Sequence, residues 1–148
     1  MADAKSWNEG IIEEFRANGG KVGGPFAGAP LLLLMTAGAR SGKLRTNPVM
    51  YLIDGSRLLV FASKAGAPTN PDWYHNLVAN PTATVEVGGD RYDVKATVLA
   101  GAERDRFYAR QAELYPGFAE YEEKTSRTIP VVALERVHDA ASARVAGA

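Results

Sequence analysis

Three cationic side chains, Arg40, Lys43 and Arg45, are clustered in the segment GARSGKLRTNP, which runs from Gly38 to Pro48. Gly38 and Gly42 let the backbone turn so that its amides converge, and Ser41 adds a hydroxyl. Guanidinium groups grip phosphate or carboxylate through two parallel hydrogen bonds, so the chemistry on offer is anion binding. Charged hydrogen bonds contribute about 1.5 to 3 kcal/mol each, so a few of them would supply roughly 5 to 10 kcal/mol before binding costs. That is the scale of micromolar affinity, about −8 kcal/mol. The loop is neither a Walker A sequence nor a dinucleotide fingerprint, and by itself it names no ligand.

A second anion-favouring feature lies in SKAGAPTNPDWYHNL, where Ser63 and Lys64 follow an apolar run and Asn70-Pro71 reads as the N-cap and first residue of a helix. Of Trp73 and Tyr74 in its first turns, one could lie flat against an aromatic cofactor while the other belongs to the core. Tyr115, Phe118 and Tyr121 are spaced by three. If Pro116 begins a new helix they share one face, either an aromatic wall or a core stripe. His75, expected to be exposed, and His138 lack the companions that a metal site or a Ser-His-Asp arrangement needs. Glu122 and Glu123 are adjacent, so on a helix they point in different directions. With no cysteine there is no thiolate chemistry either. Redox chemistry carried by a bound cofactor remains, since there the protein mainly binds and orients.

These residues need a scaffold, and 148 residues suffice for one domain that buries roughly 68 to 70% of its unfolded surface. The composition, 46% hydrophobic and 23% charged, is that of an ordinary globular chain. Net charge is zero, yet from Phe15 to Pro71 seven bases (Arg16, Lys21, Arg40, Lys43, Arg45, Arg57, Lys64) accompany one acid, Asp54. Residues 1–14 carry one base and four acids, and residues 72–148 carry nine bases and twelve acids. The basic middle suggests an anionic ligand, while its confinement to loops and a pI near 6.7 argue against nucleic acid. MADAKSWNEG lacks an apolar signal core and the longest aliphatic run, Leu31 to Met35, is far too short to span a bilayer, so a cytoplasmic protein is expected.

Ser6-Trp7-Asn8-Glu9 resembles a capping box, and Trp7, Ile11, Ile12 and Phe15 predict an amphipathic helix ending at Asn18-Gly19-Gly20. A Gly-rich tether follows to Pro30. Then come LLLLMT, TNPVMYLI and RLLVFA, joined by the basic loop and by the turn Asp54-Gly55-Ser56, which predicts antiparallel neighbours. After the helix DWYHNLVAN, the strands ATVEV and RYDVKATVL alternate about Gly88-Gly89-Asp90. A helix from Ala102 to about Tyr115, a short one near Phe118 to Lys124 and the strand IPVVALERV complete the chain. The expectation is an α+β, mainly β, protein in which about six antiparallel strands form a barrel or curled sheet covered by three or four helices. Residues 1–30 read as helix and tether, 31–137 as the barrel and 138–148 as a tail.

Taken together, LLLLMTAGARSGKLRTNPVMYLIDG, FASKAGAPTNPDWYHNLVANP, LYPGFAEY and RTIPVVALERV resemble, in this order and spacing, the deazaflavin-dependent nitroreductase family of actinobacteria. The resemblance implies a split β-barrel of the FMN-binding split-barrel type, with reduced coenzyme F420 as hydride donor to quinones, activated alkenes such as coumarin-type lactones in aflatoxins, or nitroaromatics. It assigns Arg40, Ser41 and Arg45, with Lys43 adjacent, to the cofactor's phosphate and glutamate tail. Thr46, Asn47, Pro48, Val49 and Met50 would run beneath the deazaflavin and ribityl chain. Phe61, Ala62, Ser63 and Lys64 would form a second wall, and Asp72, Trp73, Tyr74, His75 and Asn76 a third. Tyr115, Phe118 and Tyr121 would face the acceptor substrate. Ala39 stands where many members have Arg, and Phe118 where the nitroimidazole-activating member has Tyr. Quinone, enone or lactone reduction is therefore the favoured expectation. No residue stands out as an indispensable acid, and the protein is expected to be a monomer, with peripheral membrane contact giving access to quinones. The rival readings are an FMN-dependent split-barrel oxidoreductase and a non-catalytic F420 carrier.

Overall fold

A computed structural model describes residues 4–20, 30–63, 66 and 69–137, with side chains from residue 9 onward. The helix α1 (Ala4–Ala17) precedes the strands β1 (Leu31–Ala37), β2 (Leu44–Asp54) and β3 (Arg57–Phe61). The helix α2 (Asp72–Ala79) is followed by β4 (Thr82–Val87), β5 (Asp90–Leu99), α3 (Gly101–Leu114), α4 (Gly117–Lys124) and β6 (Val131–Arg136). The strands close into an antiparallel barrel in the order β1-β2-β3-β6-β5-β4.

The run of leucines in β1 does not alternate because both of its faces are covered. Successive strand residues point to opposite faces. Leu32 and Leu34 accordingly enter the barrel core with Val60, Val85, Val94 and Leu134, whereas Leu31 and Leu33 face outward onto Ile11 and Phe15 of α1. The same division holds in β3 and β6. Val60 and Val132 turn inward, while Leu59, Phe61, Val131 and Ala133 join Phe107, Tyr108 and Phe118 under α3 and α4. Trp73 and Leu77 of α2 are part of the core inside the barrel.

Two helix starts differ from the sequence expectation. The first helix is already formed at Ala4, so Ser6 lies within it and cannot be its N-cap; Ala4 and Lys5 are good helix formers that extend the run. In α2 the cap position is held by Pro71, whose side chain has no group able to cap, and the Asn70 amide oxygen is engaged by Arg127 at 2.6 Å.

Pro48 sits inside β2 opposite Leu33. A residue without an N–H is tolerated there because β2 has a strand on one side only until Tyr51, where its pairing with β3 begins. α1 is fastened to the barrel by its apolar stripe and by a two-pronged ion pair from Arg16 to Glu86 of β4, at 2.6 and 3.2 Å. Past the helix, a Cβ on Gly20 would come within 2.8 Å of Gly88, so backbone packs directly on backbone there.

Leu34 is fully buried and Val98 is 44% exposed. Leu34→Ala should lower stability by about 2 to 5 kcal/mol, and Val98→Ala should stay within about 0.5 kcal/mol. Urea unfolding midpoints check both.

Candidate functional site

The basic loop between β1 and β2 is a tight, self-bonded turn. The Gly38 N–H donates to the Lys43 carbonyl at 2.8 Å and the Gly42 N–H to the Gly38 carbonyl at 2.9 Å. Gly42 has φ +71, a left-handed conformation that favours glycine. Ser41 folds back so that its Oγ accepts the Lys43 N–H at 3.1 Å, and a Cβ on Gly38 would lie 2.8 Å from that oxygen. The hydroxyl proton of Ser41 is still available as a donor.

A buried amide from a different element braces this turn. Asn76 of α2 accepts the Ala39 N–H through Oδ1 at 2.9 Å and donates through Nδ2 to Thr36 Oγ1 at 3.0 Å. Both Asn76 and Thr36 are buried, so the two bonds lie where an unpaired polar group is costly. The helix thereby fixes the end of β1 and the start of the turn relative to each other.

Around the turn opens a groove of about 1110 Å³, lined by Glu9 and Ile12 of α1, the loop from Gly38 to Ser41, Leu44 to Asn47 of β2, and Asp72, His75 and Asn76 of α2. Arg40, Lys43 and Arg45 are exposed, and among the described residues none of them has an acidic partner. The other described bases of the basic middle segment do: Arg16 is paired with Glu86, and Arg57 with Asp54 at 2.6 Å and Glu103 at 3.4 Å. Of the cations on the turn, Arg40 and Arg45 line the groove together with the acids Glu9 and Asp72.

The groove gathers Ala39, Arg40, Ser41, Arg45, Thr46, Asn47, Asp72, His75 and Asn76 from the sequence-predicted set. His75 is exposed. Lys43 is on the turn but outside the groove lining, and Lys64 lies outside the described residues. Farther along β2, Val49 packs against the barrel core and Met50 against the clusters beneath α1 and α4; Pro48 is half-buried between. Of the two aromatic candidates on α2, Trp73 belongs to the core at 6% exposure, and Tyr74 packs against its edge. Phe61 and Ala62 are buried. Ser63 is only 9% exposed.

Tyr115, Phe118 and Tyr121 do meet on one cluster, outside the groove lining, but not as equals. Phe118 is buried, edge-on to Phe61 at 5.8 Å and to Tyr121 at 5.2 Å, while Tyr115 and Tyr121 are half-exposed. Phe61 thus joins the second wall to the aromatic cluster.

Four residues of this region escape a reading of the sequence. Ile12 is one position away from the Ile11–Phe15 stripe, so α1 carries a second apolar position that reaches the groove, and Glu9 stands beside it. Tyr108 donates its hydroxyl to the Phe118 carbonyl at 2.6 Å and tethers α3 to α4. Burial, with a smaller contribution from the Glu122 carboxylate, pushes its phenol up to about 12. Arg127 holds the segment between β3 and α2. A buried tyrosine and a half-buried arginine on polar stretches give no periodic signal.

Two outcomes are expected. Asn76→Ala strands the Ala39 amide and the Thr36 hydroxyl, and should cost about 1 to 3 kcal/mol in urea unfolding, with faster hydrogen exchange at Ala39. For Tyr108 the folded-state pKa is raised, so its contribution to stability is intact below pH 10 and is lost as pH climbs from 10 through 12. Tyr108→Phe should flatten this alkaline decline, measured as unfolding midpoints at successive pH values between 9 and 12.

The family model described as F420H(2)-dependent quinone reductase matches residues 9–136. An F420H(2)-dependent quinone reductase of Mycobacterium tuberculosis strain H37Rv is 40% identical over 128 residues, covering 82% of this chain and 85% of its own. Among solved structures, an F420-H2 dependent reductase is 42% identical with a TM-score of 0.66, covering 72% of this chain and 94% of its own. A protein described as a domain-swapped dimer is 36% identical with a TM-score of 0.68, covering 90% and 100%. The fold extends to the heme storage protein HutZ from Vibrio cholerae, at 14% identity and a TM-score of 0.58 over 89% and 92% of the two chains.

Proposed function

The chain belongs to the F420H(2)-dependent quinone reductase family, and from that premise we propose that it reduces quinones first, and activated alkenes or nitroaromatics as further acceptors, in the groove beside the basic turn. It is an oxidoreductase that draws its electrons from reduced coenzyme F420. The observation that carries the site assignment is the turn itself: three cations with no acidic partner among the described residues, on a backbone held by Asn76, at the mouth of a large groove. A groove of about 1110 Å³ exceeds the usual small-ligand range of roughly 300 to 1,000 Å³ and suits a long, anionic cofactor.

When bound, F420H2 supplies a hydride from C5 of its deazaflavin. Arg40, Lys43 and Arg45 hold the phosphate and glutamate tail, and Ser41 adds a hydroxyl donor. Thr46 and Asn47 continue the floor along β2, with Asp72 and His75 on the opposite side. Ile12 of the docked α1 adds an apolar side chain to the groove lining. The Ser63 hydroxyl, nearly buried, serves as a donor to negative charge that develops on the acceptor. Tyr115 and Tyr121 give the acceptor an aromatic face, and the completing proton comes from one of them or from water. Tyr108 does not supply it, because its hydroxyl is held by the Phe118 carbonyl and its pKa is about 12. Phe118 supports Tyr121 from beneath; acceptor choice rests with the two half-exposed tyrosines.

We read the protein as a cytoplasmic monomer that meets quinones by peripheral membrane contact. No helix among the described residues is long and apolar enough to cross a bilayer.

Oxidised F420 should lose or shift its fluorescence on titration with the protein, whereas FMN should not; the reverse outcome would sink the F420 assignment. Arg45→Ala should weaken F420 binding by about 1 to 3 kcal/mol. Oxidation of F420H2 by menadione only in the presence of protein separates a reductase from a carrier.

A further inference from the structure

The segment between β3 and α2 leaves the barrel at Ala62 and returns at Asn70, and one side chain from another part of the chain holds both ends. Arg127, on the connection from α4 to β6, donates through Nη1 to the Ala62 carbonyl at 3.0 Å and to the Asn70 Oδ1 at 2.6 Å, and through Nη2 to the Ser63 carbonyl at 2.7 Å. Its own N–H is turned toward Thr125 Oγ1 at 3.3 Å. The Ala62 N–H continues the sheet by donating to the Pro130 carbonyl at 3.0 Å, three residues beyond the arginine. Within the segment, the Gly66 N–H donates to the Ser63 carbonyl at 2.9 Å. Gly66 has φ +80, and a Cβ there would stand 3.0 Å from both the Tyr121 carbonyl oxygen and Lys124 Cβ. Gly66 is therefore packed against α4, and Ala62, Ser63 and Asn70 are gripped by one planar, five-donor group.

We propose that Arg127 is a positioning residue for hydride transfer: it fixes Ala62, Ser63 and Asn70, and with them the Ser63 hydroxyl, relative to the aromatic cluster of α4. The inference rests on the reading of this segment as a wall of the cofactor site. Arg127 acts through Ser63 and Asn70, and the three oxygens it holds are those that set the direction of the chain as it leaves β3 and as it enters α2. A lysine cannot reproduce this, since a point charge on a flexible stem cannot span three oxygens in a fixed fork. Misplacement of a reacting geometry by an ångström lowers a rate by about a hundred-fold, so a loosened segment should act on turnover before it acts on tail binding.

The test uses Arg127→Lys and, because that variant could unfold, Asn70→Ala, which keeps the arginine and removes one acceptor. In the cofactor-free protein, hydrogen exchange at the Ala62 and Gly66 amides should quicken roughly ten-fold or more, while barrel amides such as that of Leu59 keep their rates. In F420H2 oxidation by menadione, kcat should fall roughly ten- to hundred-fold, with the F420 dissociation constant changed less than about three-fold. The double variant should be no slower than Arg127→Lys alone. Unchanged exchange at Ala62 and Gly66 would overturn the proposal, as would faster exchange with full kcat. Exchange that rises across the whole barrel would make Arg127 a general stabiliser and overturn it equally. A wild-type protein that fails to oxidise F420H2 overturns the functional reading instead, and the exchange measurement still decides whether Arg127 holds the segment.

Discussion

β1 must be apolar on both faces, and most of the molecule follows from how those faces are covered. The inner leucines, Leu32 and Leu34, commit the strand to the barrel, while Leu31 and Leu33 need an outer partner and find it in Ile11 and Phe15. Docking α1 there brings Ile12 and Glu9 to the rim of the groove. At its other end β1 terminates at Thr36 and Ala37, where the chain must reverse, and Asn76 fixes that reversal by taking hold of Thr36 and Ala39 together. Hydrophobic burial thus decides where the groove is, and two hydrogen bonds decide the position of its cationic lip.

The electrostatic arrangement has the same division of labour. The positive surplus of the middle of the chain is spread over the sequence, but in the fold Arg16 and Arg57 are consumed in ion pairs that hold elements together. Arg104, nearly buried, donates to the Ile129 carbonyl and lies 4.6 Å above the Tyr108 ring. The cations left without acidic partners in the described residues include the three on the turn. What the fold leaves at the turn is cations without acidic partners among the described residues, beside a groove that Glu9 and Asp72 also line.

The strands and their antiparallel neighbours are legible because turn chemistry and apolar periodicity are local properties. Asp54-Gly55-Ser56 pairs β2 with β3, and Gly88-Gly89 pairs β4 with β5. Closure of the barrel is not local: the pairing of β1 with β4 and of β3 with β6 joins segments separated by whole helices. The cationic turn is legible for the same reason as the strands. What the sequence hides is the division between Trp73 and Tyr74, which depends on the direction in which α2 enters the barrel, and the burial of Phe118, which shares its spacing with two half-exposed tyrosines. The Asn70 cap is a case of competition, since a side chain able to serve its own helix is engaged by a distant arginine.

The one-sided stretch of β2 has a consequence for solubility. From Leu44 to Met50 the strand has β1 on one side and, among the described residues, no strand on the other, which leaves a row of backbone groups able to template another chain. Natural sheets blunt such edges with proline and with charge, and this edge carries Pro48 and Arg45, with Lys43 just before it. The charge of the turn therefore also serves to guard an open strand. A variant relieved of those cations would risk self-association through its backbone.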